Sequence, residues 1–306
     1  MQHHVTYPLV AHPHDPELVT KKALVRFATR AEELGFDGIG FTDHPAPSHK
    51  WLTHGGHDAL DPFVAFGTVA AVTDRIRLIP NILVLPYRNP FVVAKAAATL
   101  DTLSDGRFVL AVATGYQRAE YRALGGDFDE RNDLFDEALA AIRGIWTTDD
   151  FALEGRHFTA RGQTANPKPA SVPVWIGGNS ALSRRRVAAG ADCWTPFAAS
   201  ATLARTAKTP VLETADDLAP MLDHLWRCTE EAGRDRAEID VCVQALGCTP
   251  PGHDGFDPQQ HLDALGRLAE LGVTWTGTSV PGTGLEPAIE ALEHYAATVI
   301  APLRRG

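Results

Sequence analysis

Long apolar runs are missing from this chain: no stretch approaches the roughly 18 residues that a helical membrane span requires. The opening Met1-Gln2-His3-His4 also lacks the basic and apolar regions of a secretory signal, so a soluble, cytoplasmic protein is expected. Cysteine is scarce. Cys193, Cys228, Cys242 and Cys248 form no C-x-x-C pair, which argues against a disulfide scaffold or a zinc ribbon and for reduced, buried thiols. Positive charge is in deficit, with 28 Lys and Arg against 38 Asp and Glu for a net −10. With no long basic run, neither nucleic acid nor an anionic membrane is an expected partner, and a small molecule is. No G-x-G-x-x-G or Walker sequence occurs, which removes the usual signs of a dinucleotide or nucleoside-triphosphate site.

What is present is ordinary globular material: 306 residues, 44% hydrophobic and 22% charged. That length suits two average domains or one α/β barrel of roughly 250 residues. Eight apolar β-type runs alternate with helical patterns, at 5–10, 38–42, 76–83, 108–113, 172–177, 191–196, 239–246 and 273–279. Most are continuously apolar, as strands covered on both faces must be. Asp15-Pro16, Asp61-Pro62, Asn89-Pro90 and Asp257-Pro258 each put an Asx side chain and a proline where a helix starts. Leu24, Phe27, Ala28, Ala31 and Leu34 then form one stripe ended by Gly35, and Leu262, Leu265, Ala269 and Leu271 another before Gly272. The expected architecture is a single (β/α)8 TIM barrel over residues 1–306, with short excursions near 149–160 and 198–214.

In such a barrel reactive groups gather at the C-terminal ends of the strands. There the sequence reads Thr42-Asp43-His44-Pro45, Asn81-Ile82, Thr114-Gly115-Tyr116 and Gly177-Gly178-Asn179-Ser180. Asp43-His44 sets a carboxylate beside an imidazole that can exchange a proton near neutral pH, the carboxylate fixing its tautomer or touching a ligand. Gly177-Gly178-Asn179 precedes a helix carrying Arg184, Arg185 and Arg186, and reads either as a phosphate cradle or as an ordinary tight turn. His54-Gly55-Gly56-His57-Asp58 lacks the spacing of a metal centre, so no metal is expected. Its surroundings read as a loop over the site, with Trp51 as an apolar contact.

These strand ends resemble the luciferase-like monooxygenase superfamily, and within it the branch of deazaflavin (coenzyme F420)-dependent oxidoreductases. The likeness is carried by Ala31-Glu32-Glu33-Leu34-Gly35-Phe36-Asp37 leading to Thr42-Asp43-His44, by Leu85-Pro86-Tyr87-Arg88-Asn89-Pro90, by Ser104-Asp105-Gly106-Arg107-Phe108, and by Pro173-Val174-Trp175-Ile176-Gly177-Gly178-Asn179-Ser180. The resemblance implies a bacterial luciferase-like barrel and hydride transfer between F420 and a small organic substrate. It implies that His44 exchanges the proton with Asp43 beside it, and that Asn81-Ile82 forms a bulge with a non-proline cis peptide against the ring. Thr114 and Gly115 would lie along the cofactor side chain, Gly177, Gly178 and Asn179 at its phosphate, and Trp51 and Tyr116 at the substrate. Tyr116 stands where the sugar-phosphate dehydrogenases of the branch carry an acidic glutamate, and Ala119 replaces a polar residue of some relatives. An FMN-dependent two-component monooxygenase, or a flavin-binding protein without catalysis, fits the same scaffold. By analogy the chain forms a homodimer.

Overall fold

A computed structural model describes residues 1–305. The chain runs β1 (Gln2–Thr6), α1 (Lys21–Glu33), β2 (Gly38–Gly40), α2 (His49–Leu52), α3 (Pro62–Ala70), β3 (Arg77–Leu78), β4 (Leu83–Val84), α4 (Pro90–Leu103), β5 (Leu110–Ala113), α5 (Arg118–Ala123) and α6 (Arg131–Thr147). It continues through β6 (Phe151–Glu154), β7 (Thr159–Gln163), β8 (Val174–Gly177), α7 (Ala181–Ala188), β9 (Cys193–Thr195), α8 (Ala201–Ala207), α9 (Ala215–Glu231), β10 (Asp240–Val241), α10 (Pro258–Glu270), β11 (Trp275–Thr278), α11 (Leu285–Tyr295) and α12 (Ala301–Arg305).

Parallel pairing orders the strands β11-β1-β2-β3 and β10-β9-β8-β5-β4. The bridges Leu78–Phe108 and Cys242–Trp275 join these two arcs into one closed ring. β3 and β4 are one stave, interrupted where the Asn81–Ile82 peptide is cis, so the ring has the eight staves of a TIM barrel. The excursion near 149–160 is the antiparallel hairpin of β6 and β7, which extends to Gln163. That near 198–214 holds α8 and folds back through an antiparallel bridge between Ala199 and Leu212.

Local chemistry explains most boundaries. Asp61, Asn89 and Asp257 cap α3, α4 and α10 as their sequence context requires. Asp15-Pro16 opens only a short 3-10 turn, Pro16–Val19, and Thr20 caps α1 by accepting from Ala23 N–H at 3.2 Å. On α10 the buried face is His261, Ala264, Leu265 and Leu268, while Ala269 is exposed; the expected stripe is rotated because His261 turns inward. The first strand occupies Gln2–Thr6, not 5–10: Tyr7 N–H makes the last bond to β2, to Gly40 O at 2.8 Å, and Pro8 has no N–H to follow it, while the Tyr7 hydroxyl donates to Leu18 O at 2.6 Å and its ring packs against Phe27 and Phe41. The stave expected at 239–246 shrinks to Asp240–Val241, since the chain turns away beyond the bridge at Cys242. All four cysteines are free thiols, but only Cys193 and Cys242 are fully buried. No helix among the described residues is long and apolar enough to cross a membrane.

Candidate active site

The C-terminal strand ends open into a cavity of about 760 Å³. At the end of β2, Asp43 is 3% exposed and has both oxygens engaged. Arg88 donates to them at 2.6 and 2.7 Å, and Val84 N–H adds a third bond at 2.9 Å. Burial pushes the Asp43 carboxyl upward, and the Arg88 hydrogen bonds pull it back, so its charge depends on that guanidinium. Asp43 thus ties β2 to β4 and is not the group that orients its neighbour.

The carboxylate that holds His44 is Glu120, on α5. Its Oε2 lies 3.1 Å from His44 Nδ1, and Glu120 is fully buried. It also accepts from Ala46 N–H at 2.9 Å and from the Tyr87 hydroxyl at 3.2 Å. A carboxylate with these donors acts only as an acceptor, so His44 carries its hydrogen on Nδ1 and keeps the Nε2 lone pair. Gln117 touches the same nitrogen at 3.2 Å. Trp51 does not line the cavity. Its indole backs the imidazole instead, with ring centroids 4.4 Å apart, and packs against His57. The loop expected over the site contains the short α2, whose Ser48 cap fixes Trp51 N–H. Tyr116 does line the cavity and is 39% exposed.

The bulge lies beside this pair. Asn81 N–H donates to Phe41 O at 2.8 Å and its amide to Thr6 Oγ1 at 2.7 Å, locking the segment to β1 and β2. Ile82 reaches across toward β8, where its Cδ1 occupies the space that a Cβ on Gly177 would take. Thr114 and Gly115 border the same space, and Gly115 is held at φ +67° against Val84.

At the end of β8 the fastening is different. Asn179 is fully buried, and its amide donates to Phe197 O at 2.9 Å and Pro210 O at 3.3 Å while its oxygen accepts from Phe197 N–H at 3.0 Å. Gly178 sits at φ +104° and Ser180 caps α7. The arginines of α7 face away: Arg184 donates to Asn179 O at 2.9 Å, and Arg186 pairs with Asp136. The cations that do line this end are Arg118, Arg131 and Lys208. Arg118 and Arg131 lie 4.4 and 4.1 Å over the Phe128 ring, and Arg118, Arg131 and Lys208 together hold the Asp129 carboxyl below its ordinary range.

On the floor, His4 stands in register between Gly38 and Gly277, its ring over the place a Gly277 side chain would take. Burial pulls its pKa down from 6.5 to about 4, so it is neutral at pH 7. Among the described residues no group of three or more His, Cys, Asp or Glu is arranged to hold a metal ion.

Sequence reasoning thus brought His44, Asn81, Ile82, Thr114, Gly115, Tyr116 and the Gly177–Asn179 turn to one cavity. It missed Glu120 and Arg88 as partners, and the cations at the far end. Arg88 stood in a quoted motif without a role, and Glu120 carried no signal beyond its place on a short helix.

The family pattern described as luciferase-like monooxygenase matches residues 1–251. An F420-dependent glucose-6-phosphate dehydrogenase of Microbacterium testaceum is 30% identical over 236 residues; the match covers 76% of this chain and 65% of that protein's own length. Two solved structures share the fold across nearly the whole chain. A monooxygenase from Streptomyces bottropensis has a TM-score of 0.81 at 17% identity, covering 99% of this chain and 100% of its own. The coenzyme F420-dependent tetrahydromethanopterin reductase of Methanopyrus kandleri has a TM-score of 0.73 at 16% identity, covering 98% and 99%.

Proposed function

The chain belongs to the luciferase-like monooxygenase family, and from that premise we propose that it is an F420-dependent oxidoreductase acting on a small organic substrate, with His44 giving or taking the proton. The observation that carries this reading is the Glu120–His44 pair, 3.1 Å apart, set beside the Asn81–Ile82 bulge in a cavity large enough for a cofactor and a substrate.

The residues present fit the cofactor. Ile82, at the bulge, lines the cavity with an apolar side chain against which a planar ring can lie, and the turn Gly177-Gly178-Asn179 at the start of α7 suits a phosphate. Arg118, Arg131 and Lys208 would face the anionic tail. When bound, coenzyme F420 supplies the carbon that accepts or donates a hydride. The chain does the rest. Glu120 keeps the His44 hydrogen on Nδ1, which leaves Nε2 to take a proton from a substrate hydroxyl, or to return it in the reverse direction. Trp51 holds the imidazole plane, and Asp43 with Arg88 anchors the strand end that carries it. Tyr116 occupies the place of the glutamate acid in sugar-phosphate dehydrogenases of the branch, so glucose 6-phosphate is not assigned as the substrate.

An FMN-dependent monooxygenase is the second reading, because the same fold is found in a monooxygenase from Streptomyces bottropensis and in a Baeyer-Villiger monooxygenase from Pseudomonas putida solved in complex with FMN. Fluorescence titration of the purified protein with both cofactors decides. The expected result is F420 binding on the order of micromolar, retained in His44→Ala, whose turnover across a panel of alcohols, enones and imines falls. FMN binding without F420 binding reverses the assignment. Unchanged turnover in His44→Ala removes the proton role.

A further inference from the structure

The cavity is unevenly charged. Its only charged lining side chains, histidines aside, are Asp43, Arg118, Arg131 and Lys208 among the described residues. Asp43 is matched by Arg88, and the three cations gather around Asp129 beside the turn that follows β8. The opposite lobe lies where β10 and β11 part. Those strands are joined by the Cys242–Trp275 bridge, by Thr274 N–H to Val241 O at 3.0 Å and by Val243 N–H to Trp275 O at 3.1 Å, and beyond Val243 no backbone bond links them among the described residues. Gln244, Thr278, His261 and Cys248 line the gap, with His4 below.

Two buried imidazoles border this lobe, each with a nitrogen that has no hydrogen-bond partner. His261 is 3% exposed and spends its Nε2 hydrogen on Thr249 O at 2.8 Å, so its Nδ1 is an acceptor, and that atom has no partner. His4 is 5% exposed, and its buried Nδ1 is likewise unpartnered. Gly38 and Gly277 flank it in register, and its ring fills the place that a Gly277 side chain would take. Burial lowers both histidines, so neither offers a positive charge near neutral pH.

Resting on the reading above, we propose that this lobe between β10 and β11 holds the substrate, and that the substrate is uncharged: a hydroxyl or carbonyl compound without phosphate or carboxylate. A neutral compound needs no counter-ion in a lobe that offers none, whereas a phosphate held there would stay unpaired. The relative named for glucose 6-phosphate would then differ from this chain in the charge of the compound it takes.

The test uses protein labelled at histidine Cε1, observed by NMR with and without saturating F420, with cyclohexanol and glucose 6-phosphate as probes. His261→Gln and His4→Gln identify the two signals; if His4→Gln does not fold, the His261 signal alone suffices. The expected result is that cyclohexanol moves the His261 signal and glucose 6-phosphate does so roughly 100-fold more weakly or not at all. Comparable responses to both probes, or no response to cyclohexanol, overturn the proposal. Failure of F420 to bind, read by its own fluorescence, overturns the cofactor assignment alone, because the histidine signals are read on the cofactor-free protein as well.

Discussion

The ends of β2 and β8 face each other across one cavity, yet they are built from different physics. At β2 the polar groups are fastened by charge: Asp43 to Arg88 at 2.6 and 2.7 Å, and His44 to Glu120 at 3.1 Å. At β8 they are fastened by neutral amide bonds from Asn179, and by glycines whose missing side chains make room. An end that exchanges protons needs partners that hold an ionisation state, whereas one that cradles an anion needs only backbone shape and nearby positive potential. The first should therefore answer steeply to loss of a partner, and the second mildly.

The largest effect falls on the buried ion pair. Arg88→Met leaves Asp43 buried without its guanidinium, and about 3–5 kcal/mol of stability is expected to go. Asn179→Ala, the matching change at β8, removes neutral hydrogen bonds and is expected to lose about 1–3 kcal/mol. Urea unfolding midpoints compare the two. Equal losses would erase the contrast, and Arg88→Met with Asp43→Asn should recover part of the deficit if uncompensated charge is the cause.

His4, on the floor between the two ends, sharpens the comparison through pH. Its pKa is 6.5 when unfolded and about 4 when folded, so between those values the unfolded chain binds more protons and stability rises with pH. As pH falls from 6.5 to about 4, roughly 3 kcal/mol is expected to drain away through this group. His3, lowered to about 3, steepens the same limb. In His4→Gln the acid limb measured by thermal unfolding should flatten; an unchanged slope would take His4 out of the account.

Much of this was legible in the sequence, for a reason that also sets the limit. Strand-end residues are ordered by the barrel itself, so His44, Asn81-Ile82 and Gly177-Gly178 could be placed from one-dimensional order alone. Helix caps such as Asp61 and Asn89 were legible because capping is local. Glu120 was not, because its contact with His44 spans 76 residues and exists only once α5 folds over the β2 end. On a short helix with Arg118 and Arg122, it reads as one more solvated charge. Adjacency misled in the opposite way. Asp43 looked like the partner of His44, but consecutive residues leaving a strand point apart, and Asp43 turned to Arg88. The basic run Arg184–Arg186 misled likewise, since α7 turns Arg184 and Arg186 back onto the scaffold.

Glu120→Gln tests whether the β2 end works by charge. The amide keeps the shape but no longer compels the hydrogen onto His44 Nδ1, so turnover is expected to fall about 10- to 100-fold, or about 1.4–2.7 kcal/mol in the barrier. F420 affinity should stay level, and the pH–rate profile should move, which a purely structural defect would not produce. Loss of F420 binding in step with turnover would instead make Glu120 a packing residue.

The smallest effect belongs to the cationic end, and it is the most discriminating because it is expected to be slight. Lys208 is exposed at the C-terminal cap of α8, with φ at +51°, and makes no ion pair among the described residues. A solvated ammonium facing an anionic tail contributes no more than about 1 kcal/mol, so Lys208→Ala should weaken F420 roughly threefold to fivefold and leave turnover at saturation alone. Because the interaction is screened, the difference between wild type and variant should vanish in about 1 M salt, where the Debye length is about 3 Å. A salt-independent loss, or one as large as that in Arg88→Met, would mean that the β8 end is also organised by buried charge, and the two ends of the cavity would no longer be different in kind.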